Sequence, residues 1–538
     1  MLRWLGRLPI VLFLLAFPIA FSQPMACFGL AKAITLPEVP YGLSAWDWQA
    51  FIHRHTLNGF SSVAAEVNAD TAAPLQIFES VEGTAKHPIG VCCDGCSVVV
   101  VVLKQKTPVP GNIQFTLAGP PGGFPATGSL STAFPNIPAP QTATTNDEST
   151  VTVASTSYTV LFYRPPASYL NATSSGAEPS NGWPPVTIIA TSSTGAVLGT
   201  INLTLRPPPV LLVHGFNSGP GTWDYPPPAN APADQGAHPY FHSLNPTNEA
   251  IGVADYSAQN TSGLATVMPI VLDNLRSLVA DSRDSQIEDT QADAVCHSYG
   301  GLICKCLAEN AKALTVQRPA GFPQFVWSAQ LDGEYLRYDN DELGYFRRVV
   351  TIGSVLDGSP VASYLIGYLA AQYGAGGYIA ARQVELLGGL SGDCDALSDL
   401  ATQNAVIQAL AAKPAVEWRP IVCTMAPQNQ QQLNNDLLTK YVIVYLFFNH
   451  YGLNIANLGL TPAGSDGVVT VGSQTDSGYA NSVNPKVAVG NLFHTDEPGC
   501  QAVFDDAADL LELDIAPNGP SGSYTMFKPS FLGKWGRK

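Results

Sequence analysis

The segment AVCHSYGGL, residues 294–302, decides the fold of this chain. Two apolar residues run into Ser298, and the apolar positions that follow are spaced to cover one face of a helix. A strand that turns sharply into a helix at a serine exposes the hydroxyl, and the turn requires very small flanking residues. Cys296 stands where glycine is usual, so a surface turn is the alternative interpretation of this segment taken alone.

Composition limits the class of protein. The chain has 538 residues, of which 46% are hydrophobic and 13% charged. These values predict a globular protein of two or three domains with a large core. The net charge is −16, so no basic surface is available to neutralise phosphates, which argues against nucleic acid as a partner. No protein partner is evident.

The N-terminus predicts export. Arg3 and Arg7 precede an apolar run at 8–21 that is too short to span a bilayer comfortably. Small residues at cleavage spacing follow, which indicates a signal peptide over residues 1–33. A lipid anchor at Cys27 is the alternative. We therefore expect a secreted, cell-envelope or periplasmic protein.

Ten cysteines fit an oxidising compartment. Cys93 and Cys96 are spaced for a local disulfide, and half of a zinc site is the alternative, although no second cysteine pair completes it. Cys394 and Cys423 could form a second bridge, which the sequence cannot establish.

Changes in composition and in hydrophobic pattern along the chain predict its domains. Residues 34–73 form an N-terminal segment without an assignable role. Over residues 74–206, short β-rich runs alternate with proline, glycine, serine and threonine clusters, which indicates a small all-β sandwich. A stiff proline-rich linker ends this region at 206–209. Its expected role is that of a spacer or stabilising module.

Residues 207–538 change to alternating strand and helix patterns. Buried strands are expected at 210–213, 293–296 and 347–352, and a helix at 267–280. This alternation predicts an α/β fold with a mostly parallel sheet and helices on both faces. A long apolar insertion within 355–460 is a candidate lid, and ordinary core is the alternative.

Three residues in chain order could form a nucleophilic site. A serine hydroxyl needs a base within hydrogen-bond reach, and the base must be held by a carboxylate. Asp466 lies in a turn before an apolar run, and His494 follows a second apolar run. We assign Ser298 as nucleophile, His494 as base and Asp466 as acid. His450 and Asp496 are the rivals for the base and the acid.

A tetrahedral oxyanion also needs two fixed backbone N–H donors. Tyr299 follows the candidate nucleophile and supplies one donor. The loop after the first strand of the α/β region supplies the other, and Phe216 is our choice. Gly215 lets this backbone approach closely, and His214 is expected to brace the loop.

Taken together, these sequence segments make the chain resemble the extracellular bacterial-type lipases and esterases of the α/β-hydrolase fold. An N-terminal immunoglobulin-like β domain precedes the region of resemblance. The matching segments span about 300 residues in family order: Val213–Ser218 with Trp223, Asp255–Ser257, Ala294–Leu302, Val349–Gly353 with Gly358–Pro360, Asp466–Val469, and His494–Glu497.

The resemblance implies hydrolysis of carboxylic esters, with lipids or acylglycerols as substrates, transient contact with a lipid interface, and Ser298, Asp466 and His494 as a triad. No cofactor is required. Some members bind a structural calcium through the acid at the position of Asp496, but the glutamine expected four residues later is Cys500. An acyltransferase or a polyester depolymerase would use the same triad, and a non-catalytic surface protein on a hydrolase scaffold is the alternative from another class.

Overall fold

The computed structural model describes part of the chain, and all of that part belongs to one unit, 46–538. The described residues are 74–79, 88–107, 109–119, 127–131, 142–144, 150–153, 156–167, 185–223, 251–309, 315–316, 325–326, 335, 344–363, 395–401, 416–425, 460, 464–475, 486–487, 492, 494 and 496–511. The predictions for the signal peptide, the anchor at Cys27, the segment 34–73, most of the candidate lid, His450 and Cys394 lie outside them.

The first part of the described chain consists of strands. In order they are β1 (Leu75–Glu79), β2 (Gly90–Cys92), β3 (Val99–Gln105), β4 (Gln114–Ala118), β5 (Ser129–Ser131), β6 (Thr142–Thr144), β7 (Thr150–Val153), β8 (Thr156–Arg164), β9 (Pro185–Thr191) and β10 (Val197–Arg206). One sheet has the order β1-β3-β8-β5, with β7 paired to β8, and a second contains β2-β10-β9-β4-β6.

The two sheets share one hydrophobic core. In β9, Val186, Ile188 and Ala190 are fully buried, while the residues between them are partly exposed, as the two-residue period of a strand requires. They belong to the same cluster as Val99 and Val101 of β3 in the other sheet. The packing of two inner faces therefore holds this region together.

The second part of the chain alternates strands and helices. Its elements are β11 (Val210–Val213), β12 (Ile251–Ala254), α1 (Leu264–Asp284), β13 (Ile287–Glu288), β14 (Ala292–His297), α2 (Tyr299–Ala308), β15 (Thr315–Val316), β16 (Phe325–Val326), β17 (Phe346–Ile352), α3 (Asp395–Asp399), β18 (Glu417–Val422), α4 (Val471–Thr475), β19 (Lys486–Val487) and α5 (Gln501–Leu511). Six of these strands form a parallel sheet in the order β12-β11-β14-β17-β18-β19.

Helices cover both faces of this parallel sheet. Leu211 and Val213 of β11 pack in one cluster with apolar residues of α1 and α2. Val210 and Leu212 of the same strand pack on the opposite face with Val503 of α5. A strand buried on both faces is continuously apolar, which is why β11 reads VLLV. The arrangement agrees with the α/β class predicted from the sequence.

The two parts are joined by a strand and by polar contacts of one side chain. β13 adds to the second β sheet by pairing in parallel with β2. The guanidinium of Arg347 in β17 forms an ion pair with Asp293 and donates to the carbonyl of Ala167 at 3.1 Å and that of Cys93 at 3.4 Å. Among the helices that the structure describes, none is long and apolar enough to cross a membrane.

The disulfide predicted between Cys93 and Cys96 is not formed. Both residues are buried thiols, as is Cys423. Cys93 packs in the β core, whereas the Cys96 thiol lies 3.0 Å from the Gln291 side-chain oxygen and donates to it. The two side chains therefore enter different environments, although the sequence spacing suits a bridge.

Candidate active site

The turn at Ser298 joins β14 to α2 in a strained conformation. Every residue of β14 is buried, and Ser298 has φ 55° and ψ −121°, outside the regions that non-glycine residues usually occupy. Such strain persists only where the surroundings impose it, and it is concentrated at functional sites. The sharp turn predicted from residues 294–302 is therefore present.

The glycines after the serine are required by packing. A Cβ on Gly300 would lie 2.5 Å from the carbonyl oxygen of Val213, and one on Gly301 would overlap the Ser354 side chain. The first turn of α2 packs closely against β11 and against the residues after β17. Neither glycine position therefore has room for a side chain. Cys296 is tolerated where glycine was expected, because its thiol enters the core beside Cys304.

The structure brings Ser298, His494 and Asp466 together. The Ser298 hydroxyl oxygen lies 2.8 Å from His494 Nε2, and His494 Nδ1 lies 2.9 Å from Asp466 Oδ2. Ser298 and His494 are 7% and 6% exposed, and Asp466 is fully buried. This geometry can carry a proton from the hydroxyl to the imidazole while the carboxylate holds the ring.

Hydrogen bonds to both carboxylate oxygens hold the Asp466 side chain in place. Oδ1 accepts hydrogen bonds from the backbone N–H groups of Val468 at 2.9 Å and Val469 at 2.7 Å. Oδ2, which faces His494, also accepts a bond from the Gln474 amide at 3.1 Å. The His494 backbone N–H donates to the Asp466 carbonyl at 3.1 Å, so the two loops are tied together through main chain as well.

Asp496, the rival acid, does not take this place. It is exposed and directly precedes the 3₁₀ turn Glu497–Gly499. The carboxylate nearest the His494 ring belongs to Asp466 instead. The hypothesis of a calcium ion at Asp496 stays a prediction.

Gln474 and Glu497 are parts of the site that sequence reasoning missed. Gln474, in α4, donates to Asp466 and also exchanges hydrogen bonds with the backbone of Cys423, accepting at 2.8 Å and donating at 3.0 Å. Glu497 is fully buried, and its carboxyl lies 3.2 Å from His297 Nε2 and 3.6 Å from His494 Nδ1. The sequence feature that could have indicated a role for Glu497 is its position three residues after His494.

Burial decides the charges around the imidazole. Desolvation, followed by the neighbouring Asp466 carboxylate, holds the pKa of Glu497 well above its usual value. Desolvation, followed by the neighbouring His494, holds the pKa of His297 well below its usual value. The lowered pKa keeps the His297 ring neutral near pH 7, and the raised pKa favours the protonated, neutral form of Glu497.

His297, His494 and Glu497 are also a set of potential metal ligands in the described part of the chain, with donor atoms within 4.8 Å of one another. Both ring nitrogens of His494 already face Ser298 and Asp466. A ligating carboxylate must also be ionised, which the burial of Glu497 disfavours. The geometry thus fits proton transfer better than metal binding.

The loop that carries Phe216 lies directly against the serine. A Cβ on Gly215 would be 2.9 Å from Ser298 Cβ, so this glycine permits the close approach. The rings of Phe216 and Tyr299 meet edge to face with centroids 6.5 Å apart. Both backbone N–H groups that we assigned to an oxyanion therefore belong to residues that flank Ser298, and their role stays a prediction.

His214 is packed as a brace under this loop. It is fully buried, its ring stacks on Tyr256 with centroids 3.9 Å apart, and its Nδ1 lies 3.0 Å from the Gly215 carbonyl oxygen. The Tyr256 hydroxyl donates to the His214 carbonyl. Burial lowers the pKa of His214 to about 4, against a smaller opposing effect of its backbone hydrogen bond, so the imidazole is neutral near pH 7.

No protein-family model matches this chain, and no curated protein matches it. Among solved structures it is similar to the mature form of the Bacillus licheniformis lipase BlEst2, at 14% identity and a TM-score of 0.33, over 56% of this chain and 91% of that one. It is also similar to lipase 1 from Pelosinus fermentans, at 15% identity and a TM-score of 0.32, over 56% and 97% of the two chains.

A third similar structure is phospholipase PlaB from Legionella pneumophila, at 15% identity and a TM-score of 0.29, over 49% of this chain and 45% of that one. These three proteins are lipases and a phospholipase. At such identities and TM-scores, what this chain does has to be inferred from its own site.

Proposed function

We propose that this protein is a serine hydrolase that cleaves carboxylic esters through an acyl-enzyme. The observation that carries the proposal is the chain of contacts from Ser298 to His494 to Asp466, at 2.8 and 2.9 Å, on a strained turn between a buried strand and a helix. A binding protein has no need to align a hydroxyl, an imidazole and a buried carboxylate in this way.

In the proposed first step, the Ser298 hydroxyl oxygen attacks the ester carbonyl carbon while His494 Nε2 accepts its proton. Asp466 holds the tautomer with a proton on Nδ1 and stabilises the imidazolium. The backbone N–H groups of Phe216 and Tyr299 would donate to the oxyanion. His494 then gives its proton to the departing alkoxide, which leaves the acyl group on Ser298.

In the second step, water attacks the acyl carbonyl and gives a proton to His494, and collapse of the second tetrahedral species returns the proton to Ser298 and releases the acid. His494 is the base in both steps because its Nε2 lies within hydrogen-bond distance of the Ser298 hydroxyl.

The finer parts of the proposal rest on the sequence. We propose that the substrates are lipids or acylglycerols, that the protein is exported, and that the strands of residues 74–206 form an immunoglobulin-like module that stabilises the catalytic region. The structure supports a stabilising role through the contacts of Arg347 with Ala167 and Cys93. A structural calcium at Asp496 is part of the same set of predictions.

Replacing the nucleophile tests the function directly. We expect Ser298→Ala to lower kcat for p-nitrophenyl esters by about 10⁴-fold or more, because the substitution removes the proposed nucleophile. Ser285→Ala, at the exposed end of α1, is the matched control and should keep full activity. A circular-dichroism spectrum checks that both variants are folded. Unchanged turnover in Ser298→Ala would refute the mechanism, and a wild-type series of acyl-chain lengths would separate a lipase from an esterase.

The acid is tested by two asparagine variants. Asp466→Asn should lower kcat by about 10³–10⁴-fold, because the amide favours the wrong histidine tautomer. Asp496→Asn is the matched control, since that carboxylate is exposed and does not hold the ring. If Asp496→Asn caused the large loss instead, the assignment of the acid would be wrong.

A further inference from the structure

Two buried thiols meet directly behind the turn that carries Ser298. Cys296 lies near the end of β14, two residues before the serine, and Cys304 lies on α2, beyond it. Their Sγ atoms are 3.1 Å apart, and both side chains are fully buried. A disulfide bond has a sulfur–sulfur distance of about 2.0 Å, so a closing movement of about 1 Å would join the two atoms.

Two other buried thiols of the described chain donate to oxygen atoms. Cys96 donates to Gln291 at 3.0 Å, and Cys92 donates to the Pro207 carbonyl at 3.6 Å. For Cys296 the partner is a second thiol instead. The strand and the helix that flank Ser298 therefore already hold the two sulfur atoms in contact, which is the first requirement for an intramolecular bridge.

We propose that Cys296 and Cys304 form a disulfide bridge that closes the turn around Ser298 when the protein folds under oxidising conditions. The reaction is thiol–disulfide exchange with a disulfide oxidant, either a small molecule or a protein. The two thiols lose two protons and two electrons, one sulfur–sulfur bond forms, and the disulfide of the oxidant is reduced to two thiols.

Burial limits when this exchange can occur. Desolvation, followed by the contact with Cys304, raises the pKa of the Cys296 thiol well above its usual value. The thiolate is the species that attacks a disulfide, so the Cys296 thiol does not react readily once the core has closed. The bridge forms as the strand and the helix come together, and afterwards it is protected from reductants by the same burial.

The bridge would link the two arms of the strained turn covalently. Ser298 lies inside the closed loop, whose ends are eight positions apart. The link restricts the unfolded chain and resists separation of β14 from α2, which is the movement that would release the serine from its strained φ of 55°. It thereby stabilises the turn on which the hydroxyl is presented.

Peptide mapping tests the bridge independently of any ester hydrolysis. Cleavage after Arg283 and Lys305 gives one tryptic peptide, 284–305, that contains both cysteines and no others, while Cys306 starts the next peptide, 306–312. The full-length protein is refolded with oxidised and reduced glutathione, denatured in acid, and alkylated without reduction. We expect peptide 284–305 to be unalkylated and lighter by two hydrogens, and to take up two alkyl groups only after reduction. Cys306 should be alkylated in both samples.

Two alkyl groups on peptide 284–305 before reduction would overturn the proposal, as would glutathione attached to either cysteine. Thermal unfolding gives a second measurement. Reduction under denaturing conditions, followed by refolding with reductant, should lower the Tm of the wild type by about 3–6 °C. The Tm of Cys304→Ala should not respond to reductant, whereas Cys306→Ala should respond like the wild type. An equal response of all three proteins would contradict the bridge.

Discussion

Single residues of the site show how burial sets a chemical role. Asp466 and Asp496 carry the same side chain and lie near the same histidine. Asp466 is fully buried with backbone N–H groups on one oxygen and Gln474 on the other. Asp496 is exposed to water. A carboxylate that is held by several donors can orient an imidazole, whereas an exposed one cannot hold a fixed geometry.

His214 makes a residue-scale prediction about pH. Its folded-state pKa of about 4 lies below the usual histidine value of 6.5, because burial disfavours the charged ring. His214 therefore binds a proton in the unfolded state at pH values where it stays neutral in the folded state. The stabilisation is complete above about pH 6.5, declines as the pH falls toward 4, and amounts to about 3 kcal/mol at most.

The measurement is urea unfolding at pH 7 and pH 4.5 for the wild type and for His214→Phe, which retains a ring to stack on Tyr256. We expect the wild type to lose more of its free energy of unfolding than the variant over this interval. His297 has a lowered pKa from the same cause and is present in both proteins, so the difference isolates His214. Equal losses of unfolding free energy in the two proteins would show that His214 does not contribute to the pH dependence of stability.

At the scale of elements, the site is assembled where parallel strands end. β11 and β14 are neighbours in the sheet, so the loop after β11 and the turn after β14 lie side by side. That adjacency brings Gly215 against Ser298. Ligand sites at the carboxyl ends of parallel strands follow from this geometry, since all the connecting loops on that side converge there.

Gly215→Ala tests the approach of the two loops. The new Cβ would lie 2.9 Å from Ser298 Cβ and 3.3 Å from His297 Nδ1, so the loop with Phe216 must retreat. We expect kcat to fall by about 10–100-fold, because a displacement of roughly 1 Å at an oxyanion donor has effects of this size. Gly221→Ala, in the same segment but with no atom within 4 Å of the new Cβ, is the control. Equal activity of both variants would mean that the loop does not contribute to catalysis.

At the scale of the whole molecule, Arg347 connects the strands of the first part to the parallel sheet. Its guanidinium pairs with buried Asp293, donates to the carbonyls of Cys93 and Ala167, and reaches the carbonyl of Leu511 at 3.4 Å. One side chain thus connects the strands of residues 74–206, the parallel sheet and α5. A planar group with five donors can do this, whereas lysine cannot reproduce the geometry.

Arg347→Met should therefore destabilise the protein as a whole. Removing the cation leaves Asp293 buried without its charge partner, which costs about 3–5 kcal/mol. Arg276→Met is the control, because the side chains of its ion pair with Asp273 on α1 are 34% and 75% exposed, and ion pairs open to solvent contribute little. The midpoint of guanidinium unfolding measures both. A small shift for Arg347→Met, close to that of Arg276→Met, would contradict the connecting role.

Several features could be predicted because they depend on local pattern. The continuous apolar run of β11 predicts a buried strand, and the small residues around Ser298 indicate a sharp turn. The order of Ser298, Asp466 and His494 along the chain also sufficed to choose the residues that the structure brings together. The sequence could not predict that Cys93 and Cys96 remain free thiols. Their spacing suits a bridge, and only their packing in separate environments prevents one.

The sequence by itself determined the types of group at the site and the elements that carry them, because residue type and periodicity are properties of short segments. Only the tertiary structure decided that Gln474 holds Asp466, that Glu497 is buried beside two histidines, and that Cys296 meets Cys304. Those contacts join side chains from separate elements whose meeting depends on how helices and loops pack on the parallel sheet.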